Sequence, residues 1–187
     1  MSRAALFVDG ANMFYAQRKN GWHLDYRKVY DFFNQQFHLY NAFYYTSVTQ
    51  PPDPGVEGFL RALTSMGYTV RRKTVKEIQD QETGTVVRKA NLDIEIVIDM
   101  FTTAELYDTA ILVSGDGDFE RAVELLRSKG KKILGVGSNG MAAYELINAV
   151  DRYIFIEEIR DAIEKPLASS TVVPDHEPDI RVIPAEG

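Results

Sequence analysis

The sequence contains no cysteine, and only three of its 187 residues are histidine. The absence of cysteine excludes a disulfide framework, a thiolate metal site and a cysteine nucleophile, and it is the composition expected of a protein in a reducing cytoplasm. The three histidines, His23, His38 and His176, are scattered and fit no metal-ligand spacing with one another. We therefore assign the histidines no role.

Long hydrophobic runs are also missing from the beginning of the chain. The first apolar run, Ala4 to Val8, meets Asp9 after five residues, which is too short for a signal peptide or a membrane span. The formal net charge is −6 and the isoelectric point is about 5.1, which argues against a protein that coats nucleic acid through general charge. A cytoplasmic nuclease whose acidic residues are concentrated in one cleft remains compatible with this charge.

The composition, 45% hydrophobic and 26% charged residues, is typical of a globular domain with a buried core. We expect one domain over residues 1–164. From residue 165 onward the chain has four of its seven prolines, no aromatic residue and little apolar periodicity. We expect residues 165–187 to form a flexible tail.

Short apolar runs alternate with segments of helical periodicity along the domain. The predicted strands are 4–8, 41–48, 68–75, 109–113, 132–136 and 153–156. The predicted helices are 13–19, 26–39, 56–66, 91–107, 119–126 and 140–150. This alternation predicts an α/β fold with a doubly wound, mostly parallel sheet and helices on both faces.

Acidic residues follow two of the predicted strands and begin one of the predicted helices. Asp9 follows the first strand, Asp116 and Asp118 follow the strand 109–113, and Asp93 lies at the beginning of the helix 91–107. Each has a local explanation, because Asp is common in turns, at helix N-caps and in the first turn of helices. The repetition of the arrangement after two strands favours a shared role.

In a doubly wound sheet the carboxyl ends of the first and fourth predicted strands lie side by side at the topological switch point. Asp9, Asp93, Asp116 and Asp118 would then converge, and four adjacent carboxylates cannot all stay ionised without a cation. We therefore expect one or two Mg²⁺ or Mn²⁺ ions. Asp99 is a weaker candidate, because it lies about 240° around the helix from Asp93.

The most basic part of the chain lies around a polar stretch, which is predicted to be a hairpin insertion after the third strand. Its basic residues are Arg71, Arg72, Lys73, Lys76, Arg88 and Lys89. Such a run is usually a solvated face, but contact with phosphate groups is a second interpretation. Under that interpretation Arg72 is a substrate-binding candidate. The charge also allows a homodimer that pairs at this insertion.

Three ordered motifs carry a resemblance to a known family. They are F-V-D-G-A-N-M at 7–13, K-A-N-L-D at 89–93 and V-S-G-D-G-D-F at 113–119. Together they resemble the signatures of NYN domains, and those of the LabA-like bacterial branch in particular. NYN domains are relatives of PIN-domain ribonucleases, and the resemblance extends over roughly residues 3–160.

The resemblance implies a PIN-like, Rossmannoid fold and metal-dependent cleavage of RNA, with single-stranded RNA as the expected substrate. It implies that Asp9, Asp93 and Asp116 are metal ligands, and that Asp118 is a ligand or positions the attacking water.

The same resemblance assigns supporting roles to two polar side chains, Asn12 and Ser114. It also makes Lys89 a candidate for contact with the scissile phosphate. The family often has glycine where Ala90 stands in this sequence, a departure that leaves the acidic residues intact.

Other functions fit parts of the same pattern. A non-catalytic RNA-binding or regulatory module could keep the acidic pocket for structure or for a ligand. The G-x-G-x-x-G match at 135–140 follows the last long strand instead of the first, which argues against a dinucleotide site. A phosphatase of the haloacid-dehalogenase type would need a second acid at position 11, where Ala11 stands, so a phosphomonoester hydrolase ranks third.

Overall fold

The computed structural model describes residues 1–79, 86–89, 91–166 and 182–183, with side chains described within 1–75 and 91–166. Within these residues the strands are β1 Arg3–Asp9, β2 His38–Val48, β3 Tyr68–Thr74, β4 Lys76–Gln79, β5 Val86–Lys89, β6 Thr109–Val113, β7 Lys132–Gly137, β8 Arg152–Phe155 and β9 Val182–Ile183. The helices are α1 Gly10–Asn20, α2 Tyr26–Gln36, α3 Pro54–Ser65, α4 Asp93–Thr102, α5 Glu120–Ser128, α6 Tyr144–Ala149 and α7 Arg160–Ile163. Short 3₁₀ turns span Ala104–Leu106 and Gly117–Phe119.

The main sheet has six parallel strands in the order β3-β2-β1-β6-β7-β8. The chain winds outward from the central strand β1 to β3, and then returns to β6 on the other side of β1. This confirms the predicted doubly wound sheet and puts the topological switch point between β1 and β6. Val8 pairs with Val113, so Asp9 and Ser114 leave adjacent strands at the same level.

Both faces of β1 are buried, which explains why its sequence is a continuous apolar run instead of an alternating one. Ala4, Leu6 and Val8 belong to the core shared with α1, α2 and α3. Ala5 and Phe7 belong to the core shared with α4, α5 and α6. The side chains of a strand alternate between its two faces. Residues 4–8 of β1 therefore lie between two apolar cores, and all five are apolar.

Several element boundaries differ from the predicted ones. The helix predicted over 26–39 ends at Gln36, because Leu39 is already paired with Ala4 of β1. The helix predicted over 91–107 ends at Thr102 and is followed by a 3₁₀ turn. The helix predicted over 140–150 begins only at Tyr144.

A smaller antiparallel sheet with the order β4-β5-β9 lies outside the main sheet. The pairing of β4 with β5 agrees with the predicted hairpin insertion. Residues 80–85 and 90, and most of the predicted tail, lie outside the described residues. Among the helices that the structure describes, none is both long enough and apolar enough to cross a membrane.

Candidate metal centre

Three carboxylates meet at the carboxyl edge of the main sheet, beside the switch point. Asp93 is the first residue of α4, Asp116 follows β6, and Asp118 lies in the 3₁₀ turn after it. One oxygen from each of the three lies within 4.8 Å of the others. Asp93 and Asp116 are half-buried and Asp118 is exposed. We call Asp93, Asp116 and Asp118 the acidic cluster.

Backbone hydrogen bonds hold the loop that carries two members of the acidic cluster. The amide of Asp118 donates to Oδ1 of Asp116 at 2.9 Å, so Asp116 caps the 3₁₀ turn. The capping role that the sequence allowed for Asp118 therefore belongs to Asp116. The amide of Asp116 in turn donates to Oγ of Ser114 at 3.2 Å. Among the contacts of the described residues, the carboxylate of Asp118 accepts no capping hydrogen bond.

Asp9, Asn12 and Ser114 connect the end of β1 to the end of β6. The amide of Asn12 donates to Oδ1 of Asp9 at 3.0 Å, and the hydroxyl of Ser114 donates to Oδ2 at 2.9 Å. The amide of Gly115 donates to Oδ1 of Asn12 at 3.1 Å. Asp9 thus caps α1, as one interpretation of the sequence held, and also binds the loop after β6.

Asp9 is the most buried of the four predicted acids and is not one of the three that form the acidic cluster. Burial raises its pKa from 3.8 to about 6, against the lowering effect of the hydrogen bonds from Asn12 and Ser114. The negative charges of Asp93 and Asp116 raise the pKa of Asp9 further. Asp9 is therefore electrostatically coupled to the acidic cluster.

Asp93 is held at the beginning of α4 by its neighbour Asn91. The amide of Asp93 donates to Oδ1 of Asn91 at 2.7 Å, although the N-cap position of α4 is Leu92, which forms no side-chain capping hydrogen bond. Burial raises the pKa of Asp93, and the nearby charges of Asp116 and Asp118 raise it further. A cation among these carboxylates would relieve that repulsion.

The segment after β7 packs directly against the loop of the acidic cluster. The amide of Ala143 donates to the carbonyl of Gly115 at 2.8 Å. A Cβ atom on Gly115 would lie 2.9 Å from the carbonyl oxygen of Met141, so only glycine allows this approach. The G-x-G-x-x-G segment at 135–140 has a packing role as well, because Tyr153 fills the space beside its first two glycines.

Asp99, the weaker metal candidate, lies in a different set of contacts. Its carboxylate accepts hydrogen bonds from Nε of Arg71 and from the hydroxyl of Tyr45, each at 2.9 Å. It is not among the residues of the acidic cluster. The helical spacing correctly predicted that Asp99 and Asp93 do not share a face.

The predicted basic residues of β3 point to two different faces of the sheet. Arg72 pairs with Glu57 of α3 at 2.8 Å, on the face opposite α4. Lys73 instead pairs with Glu95 of α4 at 2.8 Å and donates to the carbonyl of Asn91 at 3.0 Å. The side chain of Lys89 lies outside the described residues.

Lys73 was not singled out from the sequence, although it contacts the segment that holds Asp93. Strand alternation was the available signal, because alternate residues of β3 face the same side of the sheet. Arg71 pairs with Asp99 of α4, and Lys73 therefore also faces α4.

The acidic cluster has the chemistry of a divalent-cation site. Within the described part of the chain, none of its three carboxylates forms an ion pair with a lysine or arginine side chain. Carboxylate oxygens are the ligands that hard divalent cations prefer. Asp93, Asp116 and Asp118 can therefore hold such a cation. Asp9 adds negative charge that interacts with Asp93 and Asp116.

Comparison with known proteins agrees with this architecture. A family model described as the NYN domain matches residues 3–157. The chain is 52% identical over 180 residues to the low amplitude and bright protein LabA of Synechococcus elongatus, covering 92% of this chain and 96% of that protein. A crystal structure of a protein of unknown function from Vibrio parahaemolyticus superposes with a TM-score of 0.74 and 27% identity, covering 88% of this chain and 96% of that chain. The chain belongs to the NYN domain family, with a PIN-like fold, and to its LabA-like branch.

Proposed function

We propose that this protein is a divalent-metal-dependent ribonuclease that hydrolyses phosphodiester bonds in single-stranded RNA. The observation that carries the proposal is the acidic cluster, whose carboxylate oxygens lie within 4.8 Å of one another without a basic partner in the described residues. Membership of a family related to PIN-domain ribonucleases supports the same activity. A metal ion held by these carboxylates would activate water, so no nucleophilic serine, cysteine or histidine is required and water is the proposed nucleophile.

Asp93, Asp116 and Asp118 would hold Mg²⁺ or Mn²⁺, with Asp9 as the fourth acidic member of the site. When bound, such an ion supplies positive charge for the phosphodiester and lowers the pKa of water. The raised pKa values of Asp9 and Asp93 support this assignment, because a group of carboxylates that repel one another is stabilised by a cation.

The remaining polar residues orient these acids and the substrate. Ser114 and Asn12 fix the carboxylate of Asp9 and the loop after β6 through the hydrogen bonds described above. Asp118 is the most exposed of the acids, and we propose that it orients the attacking water. Lys89 is proposed to contact the scissile phosphate, on the basis of the family resemblance.

The proposal is tested by cleavage of a 5′-labelled single-stranded RNA by the full-length protein with Mg²⁺ or Mn²⁺. We expect cleavage that stops on addition of a chelator and in the variants Asp9→Asn and Asp116→Asn. Asp31→Asn is the matched control, because Asp31 is an exposed acid on α2, and this variant should cleave as the wild type does. Cleavage that persists in the chelator or in both site variants would contradict the proposal.

Calorimetric titration with Mn²⁺ separates a ribonuclease from a non-catalytic module. Binding of the metal that depends on Asp116, together with cleavage, is the result expected for the ribonuclease. Binding of both metal and RNA without cleavage would instead favour an RNA-binding or regulatory module. Hydrolysis of small phosphomonoesters in place of RNA would favour a phosphatase.

A further inference from the structure

Tyr144 is an exposed aromatic residue without a partner. It is 76% exposed, more than any other large hydrophobic residue of the described chain except Met1. Within the same described residues, its hydroxyl has no hydrogen bond and its ring has no aromatic or cationic contact. Neither the core nor a local polar network therefore accounts for the ring.

The backbone of Tyr144 is fixed beside the acidic cluster. Its neighbour Ala143 donates a backbone hydrogen bond to Gly115 at 2.8 Å. A Cβ atom on Gly117 would lie 3.1 Å from Cβ of Ala143 and 3.9 Å from a carboxylate oxygen of Glu145. Because Gly115 and Gly117 flank Asp116, residues on both sides of Tyr144 contact the loop that carries the acidic cluster.

The other aromatic residues near this edge are already occupied. Phe14 on α1 packs against Tyr15 with ring centroids 5.4 Å apart, and Arg18 lies over its ring. The aromatic residues of β2, Phe43 to Tyr45, are buried, as expected for a strand in the core. Unlike these residues, Tyr144 has an aromatic ring that is open to solvent.

We propose that Tyr144 is a stacking platform for an unpaired nucleobase of the RNA strand that the acidic cluster cleaves. The inference rests on the proposed ribonuclease function and deepens it, because it names the part of the substrate that is recognised beside the phosphate. Base-on-ring stacking tolerates any base and uses the face of an aromatic ring that is open to solvent. The bases of a duplex have no free face, so this contact favours single-stranded RNA.

A tyrosine on strand β2 of the main sheet provides a matched control. Tyr40 is 43% exposed and lies near the amino end of β2. The neighbouring residue Leu39 pairs with Ala4, at the beginning of β1. Tyr40 therefore lies at the amino edge of the sheet, and the acidic cluster lies at the carboxyl edge. At that distance Tyr40 cannot stack on a nucleobase beside the acidic cluster.

The test measures binding of a labelled single-stranded RNA by fluorescence anisotropy, with every variant made in an Asp116→Asn background. We expect Tyr144→Ala to weaken binding about 5- to 150-fold, the range expected for the loss of one stacked base. Tyr144→Phe should bind as tightly as the parent, because the ring is retained, and Tyr40→Ala should be unaffected. Circular dichroism establishes that each variant is folded.

Stacking is further distinguished by an RNA series in which one nucleotide at a time is abasic. The Tyr144→Ala effect should disappear at one abasic position and persist at the others. Unchanged binding in Tyr144→Ala, or a Phe variant as weak as the Ala variant, would overturn the inference. If the otherwise wild-type protein binds RNA through Tyr144 but cleaves none, the ribonuclease proposal fails while the stacking contact stands.

Discussion

Along the outer strand β3, acidic and basic side chains meet in pairs, whereas at the carboxyl ends of β1 and β6 the acidic side chains meet one another. The pairs on β3, which we call the outer-strand ion pairs, are Arg71–Asp99 at 2.9 Å, Arg72–Glu57 at 2.8 Å and Lys73–Glu95 at 2.8 Å. The acidic cluster has no such partner in the described residues. The carboxylates beside β3 are therefore neutralised by basic side chains, whereas those of the acidic cluster have no basic partner among the described residues.

The difference between the two regions is visible in their electrostatics. In the first region, the hydrogen bonds that Arg71 donates to the carboxylate of Asp99 raise the pKa of Arg71 and so favour its charged form. In the second, burial and mutual repulsion raise the pKa values of Asp9 and Asp93 and so disfavour their charged forms. Groups that a fold holds in an unfavourable charge state are typical of binding and catalytic sites. The acidic cluster therefore has the character of a site, and the outer-strand ion pairs have that of a scaffold.

The largest expected effect comes from giving the acidic cluster an internal cation. Asp118 is exposed, so a lysine can be accommodated there, and its ammonium group would neutralise Asp93 and Asp116 as a metal would. We expect Asp118→Lys to lower RNA cleavage by at least about 100-fold, the scale of losing a metal-activated nucleophile. The measurement is the initial cleavage rate with saturating Mn²⁺.

The same variant should also lose its response to metal in thermal unfolding. Excess ligand at about 100 times its dissociation constant stabilises a native protein by about 2.7 kcal/mol. The unfolding temperature of the wild type should rise accordingly with Mn²⁺, and that of Asp118→Lys should not. Full cleavage activity in Asp118→Lys would show that the acidic cluster does not need an added cation.

Removing an acid from the outer-strand ion pairs should affect stability and leave catalysis intact. Asp99 has a side chain only 13% exposed and accepts from both Arg71 and Tyr45. Asp99→Ala leaves those donors unpaired, and we expect a loss of about 1–3 kcal/mol in the free energy of unfolding. Urea denaturation measures the loss of free energy of unfolding. RNA cleavage at 25 °C should stay within about threefold of wild type, because a loss of this size is smaller than the usual stability of a domain and leaves the variant folded. A large loss of cleavage in the folded variant would place Asp99 in the site after all.

Asp9→Asn should have the opposite effect on stability, and one that depends on pH. The pKa of Asp9 is about 6 in the folded protein, and 3.8 is the ordinary value that applies to the unfolded chain. The native state therefore binds the proton of the Asp9 carboxyl group more tightly than the unfolded state does. Stability from this group is therefore present at low pH and is lost as pH rises from about 4 to about 6. Above that window the charged carboxylate is a cost, which asparagine removes.

We therefore expect Asp9→Asn, without metal, to be more stable than wild type by about 1–2 kcal/mol at pH 7.5, below the limit of about 3 kcal/mol that the shift allows. The difference should vanish below about pH 3, where Asp9 is protonated in both the folded and the unfolded state. Urea denaturation at the two pH values measures it. Equal stability of the two proteins at pH 7.5 would mean that Asp9 is not held in an unfavourable charged form.

The parts of this structure that the sequence predicted are those set by local pattern and strand order. The buried strand before Asp9 and the one before Asp116 were recognisable from their apolar runs, and the doubly wound order placed their ends together. Asp93 was recognised as an acidic residue at the beginning of a predicted helix, and the family resemblance then implied that it is a metal ligand. The convergence of Asp93, Asp116 and Asp118 agrees with the prediction, whereas Asp9 lies outside the 4.8 Å group.

The parts that the sequence did not predict depend on contacts between distant segments. Residues 140–143 have helical composition, but Ala143 bonds to Gly115, so α6 begins at Tyr144. The exposure of Tyr144 follows from that tertiary contact and from no local signal. The partners of β3 depend likewise on which helix covers each face of the strand, which periodicity within β3 alone does not specify.

The smallest expected effects distinguish the two neighbouring cations of β3. Arg72–Glu57 and Lys73–Glu95 are both partly exposed pairs, so loss of either should cost under about 1 kcal/mol of stability. Their positions differ, because Lys73 also donates to the carbonyl of Asn91, whose side chain accepts a hydrogen bond from the amide of Asp93.

We expect Lys73→Ala to lower RNA cleavage by about 2- to 10-fold and to reduce the salt dependence of binding by about one phosphate contact. Arg72→Ala should change both by less than about twofold, because its partner lies on the opposite face of the sheet. The reverse ranking would mean that Arg72, the substrate-binding candidate of the sequence analysis, contacts the RNA and that Lys73 does not.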